Sequence, residues 1–459
     1  MRISRRTLLV GTGAGVLGVL LASCTREPAP TPTLDRSPTP QPTDAPEGPA
    51  PTAFLRSAWT NDPSALGAVS FTPVGVQSTA RDALAGSVDD RLFFAGEATD
   101  AEAPGTMAGA VRSGLRAAEE LLDAAGAGER VAIVGAGLAG AVAAKRLVPT
   151  GLELTVFEAR DRTGGRVQSI VNDEVWPVPA QLGGWLFGED DAEIAERLNG
   201  LDIRTAALDA ALWRSVGDGA DVEPPSTQPL TDAIVAAQAL PADTSLADAL
   251  AEAGADPADP ALQALLAFVS ASAGSDAAQV SSWFPPALPP ATRTAVLGDL
   301  DDVFAELLDG VRVSLSSAVS RVAYDEAGVS LGIATGESLS FDRVLLTVPL
   351  GVLQTGGVEF APKLPFAHRG AIADLGVGFI ETVWLRFDEP ILDTEATIWH
   401  VIGGDAVIRT WVNLAPVTGD AILVGLVGGA DAVAFADLDD EEAQAAAIAA
   451  LAAFMPEGV

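Results

Sequence analysis

Residues 129–166 read ERVAIVGAGLAGAVAAKRLVPTGLELTVFEARDRTGGR, and this stretch decides the fold. The apolar run 131–134 suits a buried parallel strand. Gly135, Gly137 and Gly140 follow in G-x-G-x-x-G spacing. In that spacing the first glycine permits a tight turn, the second lets backbone approach a pyrophosphate, and the third lets helix pack on strand. A helix over 138–147, opening on Leu138 and Ala139, aims its N-terminal N–H groups and dipole at phosphate. A second strand is expected over 152–157. Glu158 ends it 18 residues after Gly140, where a carboxylate accepts hydrogen bonds from an adenosine ribose. One glycine motif among 46 glycines is weak alone. Strand, helix, strand and acid in series favour a dinucleotide site over a glycine turn in some other strand–helix unit. This much predicts an α/β, Rossmann-like domain and does not separate NAD from FAD.

The next loop, Ala159, Arg160, Asp161, Arg162, Thr163, Gly164, Gly165 and Arg166, does so by resemblance. Its R-x-G-G-R pattern is similar to that of the flavin-containing amine oxidases, the monoamine, polyamine and L-amino-acid oxidase type. The glycines permit close backbone approach, and Arg166 offers a planar fork to phosphate. A second block, RLFFAGEATDAEAPGTMAGAVRSGLRAA at 91–118, resembles the segment that closes chains of that family. The resemblance implies Gly96 and Glu97 along the ribityl and pyrophosphate portion of FAD. It implies Thr106 and Met107 at the start of a helix facing the flavin pyrimidine. A positive helix terminus there stabilises negative charge on reduced flavin. It also implies cofactor contacts from Gly183 and Gly184, in AQLGGW, and from the Val319 backbone at adenine.

In the family the 129–166 block opens the chain and the 91–118 block closes it; here the order is reversed. Circular permutation accounts for this, since the short link DAAGAGER joins the closing helix to the opening strand. The alternative is a gene-model error or a fusion of fragments. The expected architecture is an FAD domain from 53–185 and 300–350, and a substrate domain of mixed sheet and helices from 186–299 and 351–459.

The N-terminus reads as a targeting segment. Ser4, Arg5, Arg6, Thr7, Leu8 and Leu9 resemble a twin-arginine export signal, and Leu21, Ala22, Ser23 and Cys24 a bacterial lipobox. Residues 1–24 would thus be removed or lipidated at Cys24, leaving the protein anchored to the outer face of a bacterial membrane; an uncleaved anchor is the alternative. Cys24 is the only cysteine, so neither a disulfide nor a cysteinyl flavin is available to the mature fold, and FAD would be held non-covalently. Residues 25–52, rich in Pro and Thr, would form an extended tether of roughly 85 Å. The formal charge of −35 argues against nucleic acid, whose binding relies on Lys and Arg neutralising phosphates.

Helices are expected over 192–198, 230–239, 246–253 and 261–273, and strands over 311–324, 339–349, 382–387, 397–402, 407–414 and 422–427. Against the family pattern the substrate half departs. Thr382 stands where a lysine usually holds water near flavin N5. Val69 and Thr106 stand where monoamine oxidases place two aromatic rings, and Gln181 replaces the acid usual before the paired glycines. The candidate catalytic residues are Thr382, Trp185 and Thr106. No metal constellation is expected: His368 reads as exposed in a loop, and His400 as packed on a strand. The resemblance implies an FAD-dependent oxidase of small amines or amino acids using molecular oxygen. A flavin desaturase or dehydrogenase with another acceptor, and a non-catalytic FAD-binding surface lipoprotein, are the alternatives.

Overall fold

The computed structural model describes residues 50–188, 192–216, 219–286 and 293–455. The expected signal, the lipidation site Cys24 and the tether as far as residue 49 lie outside the described residues. Among the described residues no helix is long and apolar enough to cross a membrane.

A five-stranded parallel sheet forms the dinucleotide half, in the order Arg312–Ser314, Glu153–Phe157, Arg130–Val134, Arg343–Leu346 and Leu92–Phe94. Its strands alternate faces as a period of two requires. Val131, Ile133, Phe93 and Leu345 pack towards helices Met107–Ala124 and Leu138–Leu147. Ala132, Val134, Phe94, Val344 and Leu346 join a second core, beneath a four-stranded sheet built from Val319–Asp325, Gly328–Ile333, Ser338–Phe341 and Glu359–Ala361. The two helices approach closely because a Cβ at Gly114 would stand 2.4 Å from the Ala139 carbonyl oxygen. The opening and closing blocks thus share one sheet and one helix layer.

The other half centres on a six-stranded sheet, ordered Ala53–Arg56, Ile380–Arg386, Ile422–Gly428, Thr410–Asn413, Ile398–Ile402 and Ala211–Ser215. Helices Gln228–Gln238, Leu246–Glu252 and Pro260–Ala273 pack around a small core of their own.

Two expected boundaries move. Ala53–Arg56, placed in the FAD domain from sequence, pairs antiparallel with Ile380–Arg386 instead, and Thr52 donates to Arg386 O at 2.7 Å, so ordered chain begins before the tether's expected end. Glu359–Ala361 pairs with Val319–Asp325, carrying the dinucleotide half past residue 350. In both cases backbone pairing between segments distant in sequence, which no local pattern encodes, sets the division. Arg56 also ties the first strand to the last helices, donating to Asp440 Oδ1 at 2.9 Å and to Leu438 O at 2.7 Å.

His368 corrects a further expectation. It is buried in helix Phe366–Asp374, with Nε2 2.7 Å from Gly86 O and the ring 5.0 Å from Phe94. The helix wraps that turn of chain against the core, and a single polar residue carries no sign of such docking. His400 is buried on strand Ile398–Ile402, as expected.

Candidate active site

One cavity of about 1270 Å³ runs between the two halves of the fold. At one end Gly135 adopts φ +109, and a Cβ there would meet Thr347 Oγ1 at 2.3 Å. Gly137 differs: its nearest neighbours, Gly164 O and Gly165 Cα, stand 3.8 Å from where a Cβ would lie, so a side chain would grow into the cavity. Gly164 and Gly165, at φ +93 and +59, bring the second loop against Gly137 by a parallel bridge. Leu138 and Ala139 line this end at the helix N-terminus, a place whose N–H groups suit an anion. Gly140 does not line the cavity. A Cβ there would sit 2.1 Å from Gly135 O, so its part is packing rather than contact. Glu158 accepts from Ala136 N at 2.8 Å and from Arg160 N at 2.9 Å, which fixes a carboxylate with spare lone pairs at the cavity edge. Ala159 and Val319 line the same end.

Midway lies a buried ionic network. Glu97 accepts from Arg166 Nη1 at 2.9 Å, Ser70 Oγ at 2.6 Å and Gly105 N at 2.8 Å. Arg81, itself buried, donates to Ser70 Oγ at 2.8 Å and to Ala98 O at 3.0 Å. Burial alone raises the Glu97 carboxyl, but Arg166, the Ser70 hydrogen bond and Arg81 together hold it below the ordinary range. Burial lowers the Arg81 guanidinium against the pull of Glu97 and Asp100. Arg166 also donates to Ala68 O at 2.9 Å, so part of its fork is engaged within the protein. Arg160 pairs with Asp62 at 2.7 Å beside Trp59. Gly96, at φ +119, has no atom within 4 Å of a Cβ, and its backbone looks into open space.

Gly183 and Gly184 cross the cavity further on. A Cβ at Gly183 would stand 1.9 Å from Arg166 O, and one at Gly184 would stand 3.2 Å from Met107 Cγ. Thr106 caps helix Met107–Ala124: its Oγ1 accepts from Gly109 N at 3.0 Å and donates to Ala103 O at 2.8 Å. That hydroxyl is engaged in the cap, and Thr106 lines the cavity. Trp185 is buried against Trp384, with ring centroids 5.5 Å apart. Thr382 lines the far end, its Oγ1 only weakly bonded to Leu182 O at 3.5 Å. Ile380, Ile398, Val412, Leu426, Leu208 and Phe268 supply an apolar wall around it, and Val69 faces the same cavity.

The groups that hold these parts in place carry little signal in the sequence. Glu381 is fully buried on the opposite face to Thr382 and accepts from Ser57 Oγ, from Trp59 N at 3.2 Å and from Thr60 N at 2.8 Å. Ser57 Oγ in turn accepts from Thr382 N at 2.8 Å. An acid inside the apolar strand IETVWLR is the available signal, because a buried carboxylate requires donors. Arg81 carries no such signal in its helix.

The chain matches the family described as flavin containing amine oxidoreductase over residues 40–122 and 243–459, with a match to an NAD(P)-binding Rossmann-like domain over 133–198 between them. The chain belongs to the flavin-containing amine oxidoreductases. It is an FAD-dependent amine oxidase. Polyamine oxidase 4 of Oryza sativa subsp. japonica is 26% identical over 70% of this chain and 71% of that protein. Polyamine oxidase 2 of Arabidopsis thaliana is 25% identical over 70% and 71%. Among solved structures the fold is similar to putrescine oxidase bound to putrescine, with TM-score 0.57, 19% identity, and 72% and 82% of the two chains covered. It is likewise similar to cyclohexylamine oxidase from Brevibacterium oxydans, with TM-score 0.58, 20% identity and the same coverages. The glycine cradle at Gly137, the fixed Glu158 carboxylate and the open space before Gly96 fit an extended dinucleotide such as FAD.

Proposed function

We propose that this flavoenzyme oxidises small primary or secondary amines or amino acids, with molecular oxygen as acceptor. The observation that carries the reading is the continuity of one cavity, from Gly137 and Glu158 through the Glu97 network to the apolar wall beside Thr382. FAD, when bound, supplies acceptance of a hydride from the carbon beside a neutral amine. The chain's own residues bind and orient. Glu158 takes the ribose, the Leu138–Leu147 helix terminus and the Gly164–Gly165 loop take phosphate, and Val319 borders adenine. Gly96, Gly183, Gly184 and Met107 border the inner part of the cofactor. The wall of Ile398, Val412, Leu426 and Phe268 excludes water and holds the carbon chain of the amine, and orientation of this kind lowers a barrier by several kcal/mol. No general base is required of the wall, since the substrate reacts as the free amine.

The test is anaerobic titration of the FAD-loaded chain with primary amines, secondary amines and amino acids, followed by air. Bleaching of the oxidised flavin band, restored with peroxide on admission of oxygen, is the expected course. A flavin reduced by amines but slow with oxygen favours another acceptor. Thr382 in place of the usual lysine is the observation for that second reading, because it brings no positive charge to the site. A flavin that no amine reduces contradicts both.

We further infer that the chain order is circularly permuted. Two observations support it: the opening and closing blocks meet in one sheet, and Arg56 binds the first described strand to the last helices. A chain rearranged to run 130–459 and then 50–129 should fold and retain FAD; loss of FAD in that variant counts against the inference. Residues 1–24 are proposed to direct export by the twin-arginine machinery and to leave the enzyme anchored through lipidated Cys24, which mass spectrometry of the membrane-extracted N-terminus checks.

A further inference from the structure

The register of the six-stranded sheet sets one row of side chains across five strands. Trp213 pairs with His400, His400 with Thr410, Thr410 with Leu426, and Leu426 with Thr382. Partners opposite one another in a sheet face the same side. Thr410, Leu426 and Thr382 all line the cavity. Two hydroxyls therefore stand on an otherwise apolar wall, two strand spacings or about 9.6 Å apart.

The Thr410 hydroxyl is held from behind. His400 Nδ1 lies 3.2 Å from Thr410 Oγ1. The imidazole is stacked on Trp213, at 3.9 Å between centroids and 22° between planes, and Phe268 meets it edge-on at 5.4 Å. Buried and stacked in this way, the ring is held beside Thr410. Burial lowers the imidazole to about 3, so it is neutral at working pH. A neutral imidazole takes either tautomer, and the hydroxyl in front of it either donates or accepts.

Resting on the amine-oxidising reading above, we propose that Thr410, positioned by His400, is a specificity-determining residue that recognises an uncharged hydrogen-bonding group on the substrate, beyond its amine.

The charge on this wall argues for an uncharged group rather than a second ammonium. Among the described residues the carboxylates lining the cavity are Glu97, Glu102 and Glu158, and none belongs to the sheet. A desolvated ammonium beside Thr410 would meet no carboxylate from the sheet, and that is costly. A hydroxyl or amide meets a partner of its own kind.

The test compares anaerobic flavin reduction by pentylamine, 5-amino-1-pentanol and 1,5-diaminopentane, using the FAD-loaded full chain and its Thr410→Val variant. Valine keeps the branched shape and removes the hydroxyl. The wild type should favour 5-amino-1-pentanol over both others. In the variant kcat/KM for the amino alcohol should fall about tenfold, chiefly through KM, while pentylamine changes less than about twofold. His400→Phe, which preserves stacking on Trp213, should lose part of the same preference. An equal loss for all three amines, or a wild-type preference for the diamine, overturns the proposal; the wild-type comparison stands even if a variant folds poorly. Failure of every amine to reduce wild-type flavin removes the amine-oxidising reading itself, and this inference with it.

Discussion

The two ends of the cavity are built on opposite principles. At the dinucleotide end backbone lines the cavity, through glycines that leave space, a helix terminus, and a carboxylate locked by two N–H groups. At the substrate end a sheet presents side chains, mostly apolar, with Thr382 and Thr410 set into it. Backbone recognition demands glycine at fixed spacing and so leaves a motif. Side-chain recognition on a sheet asks only for alternation, which any half-buried strand satisfies. The first kind tolerates little change, whereas the second can be retuned one residue at a time.

The largest effect should come from Gly137→Val. Its backbone, at φ −76, accepts a side chain without strain, and the branches enter the cavity. The variant should fold yet bind FAD more than about 100-fold more weakly, as read by flavin absorbance after purification. Gly140→Val should instead fail to fold, since its Cβ meets backbone. Equal outcomes for the two would erase the distinction between contact and packing glycines.

Next is Glu97→Gln, which removes the buried carboxylate paired with Arg166 and leaves Arg81 only Asp100 as a neighbouring acid. A loss of about 3 kcal/mol is expected in denaturant unfolding. Because the folded Glu97 value lies below its ordinary 4.5, the stability it contributes is full above that value and is lost as pH falls through the folded one. The variant should therefore lack the steepest part of the acid limb below about pH 4.5.

The substrate half should respond to acid earlier. His400 is held neutral, its value lowered from 6.5 to about 3, so the unfolded chain binds a proton that the folded chain refuses. Its stabilisation is present above pH 6.5 and declines towards pH 3, by up to about 1.4 kcal/mol per unit. His400→Phe should flatten unfolding free energy across that window. A slope unchanged by the substitution would show that the imidazole takes up a proton in place.

The smallest effect should follow Thr382→Val. With its hydroxyl 3.5 Å from Leu182 O, the residue has little polar interaction to lose, and anaerobic flavin reduction should change less than about threefold. A loss much larger than that would give Thr382 a part in the chemical step.

The same contrast explains what was legible. Helix Leu138–Leu147 and the strands on either side were readable because turn, dipole and acid leave residues at set intervals. The site residues of that end fall along one cavity wall, apart from Gly140, which packs. Strand Ala53–Arg56 was misplaced because its partner lies more than 300 residues away. Thr106, implied near flavin by resemblance, closes a helix cap with its hydroxyl, which its position alone does not reveal. Thr410 passed unnoticed: only the register of three strands reveals that it shares a row with Thr382. Glu381 and Arg81 were hidden for a related reason, since a buried ion shows its purpose through partners that folding supplies.

The most direct measurement is an experimental structure of the FAD-loaded chain. The expected result has the adenosine ribose within hydrogen-bonding distance of Glu158, the pyrophosphate against Gly137 and the Leu138–Leu147 terminus, and the flavin ring between Gly184 and the sheet wall that holds Thr382. A flavin ring lying away from that wall, or an adenine at the Thr382 end, would contradict it.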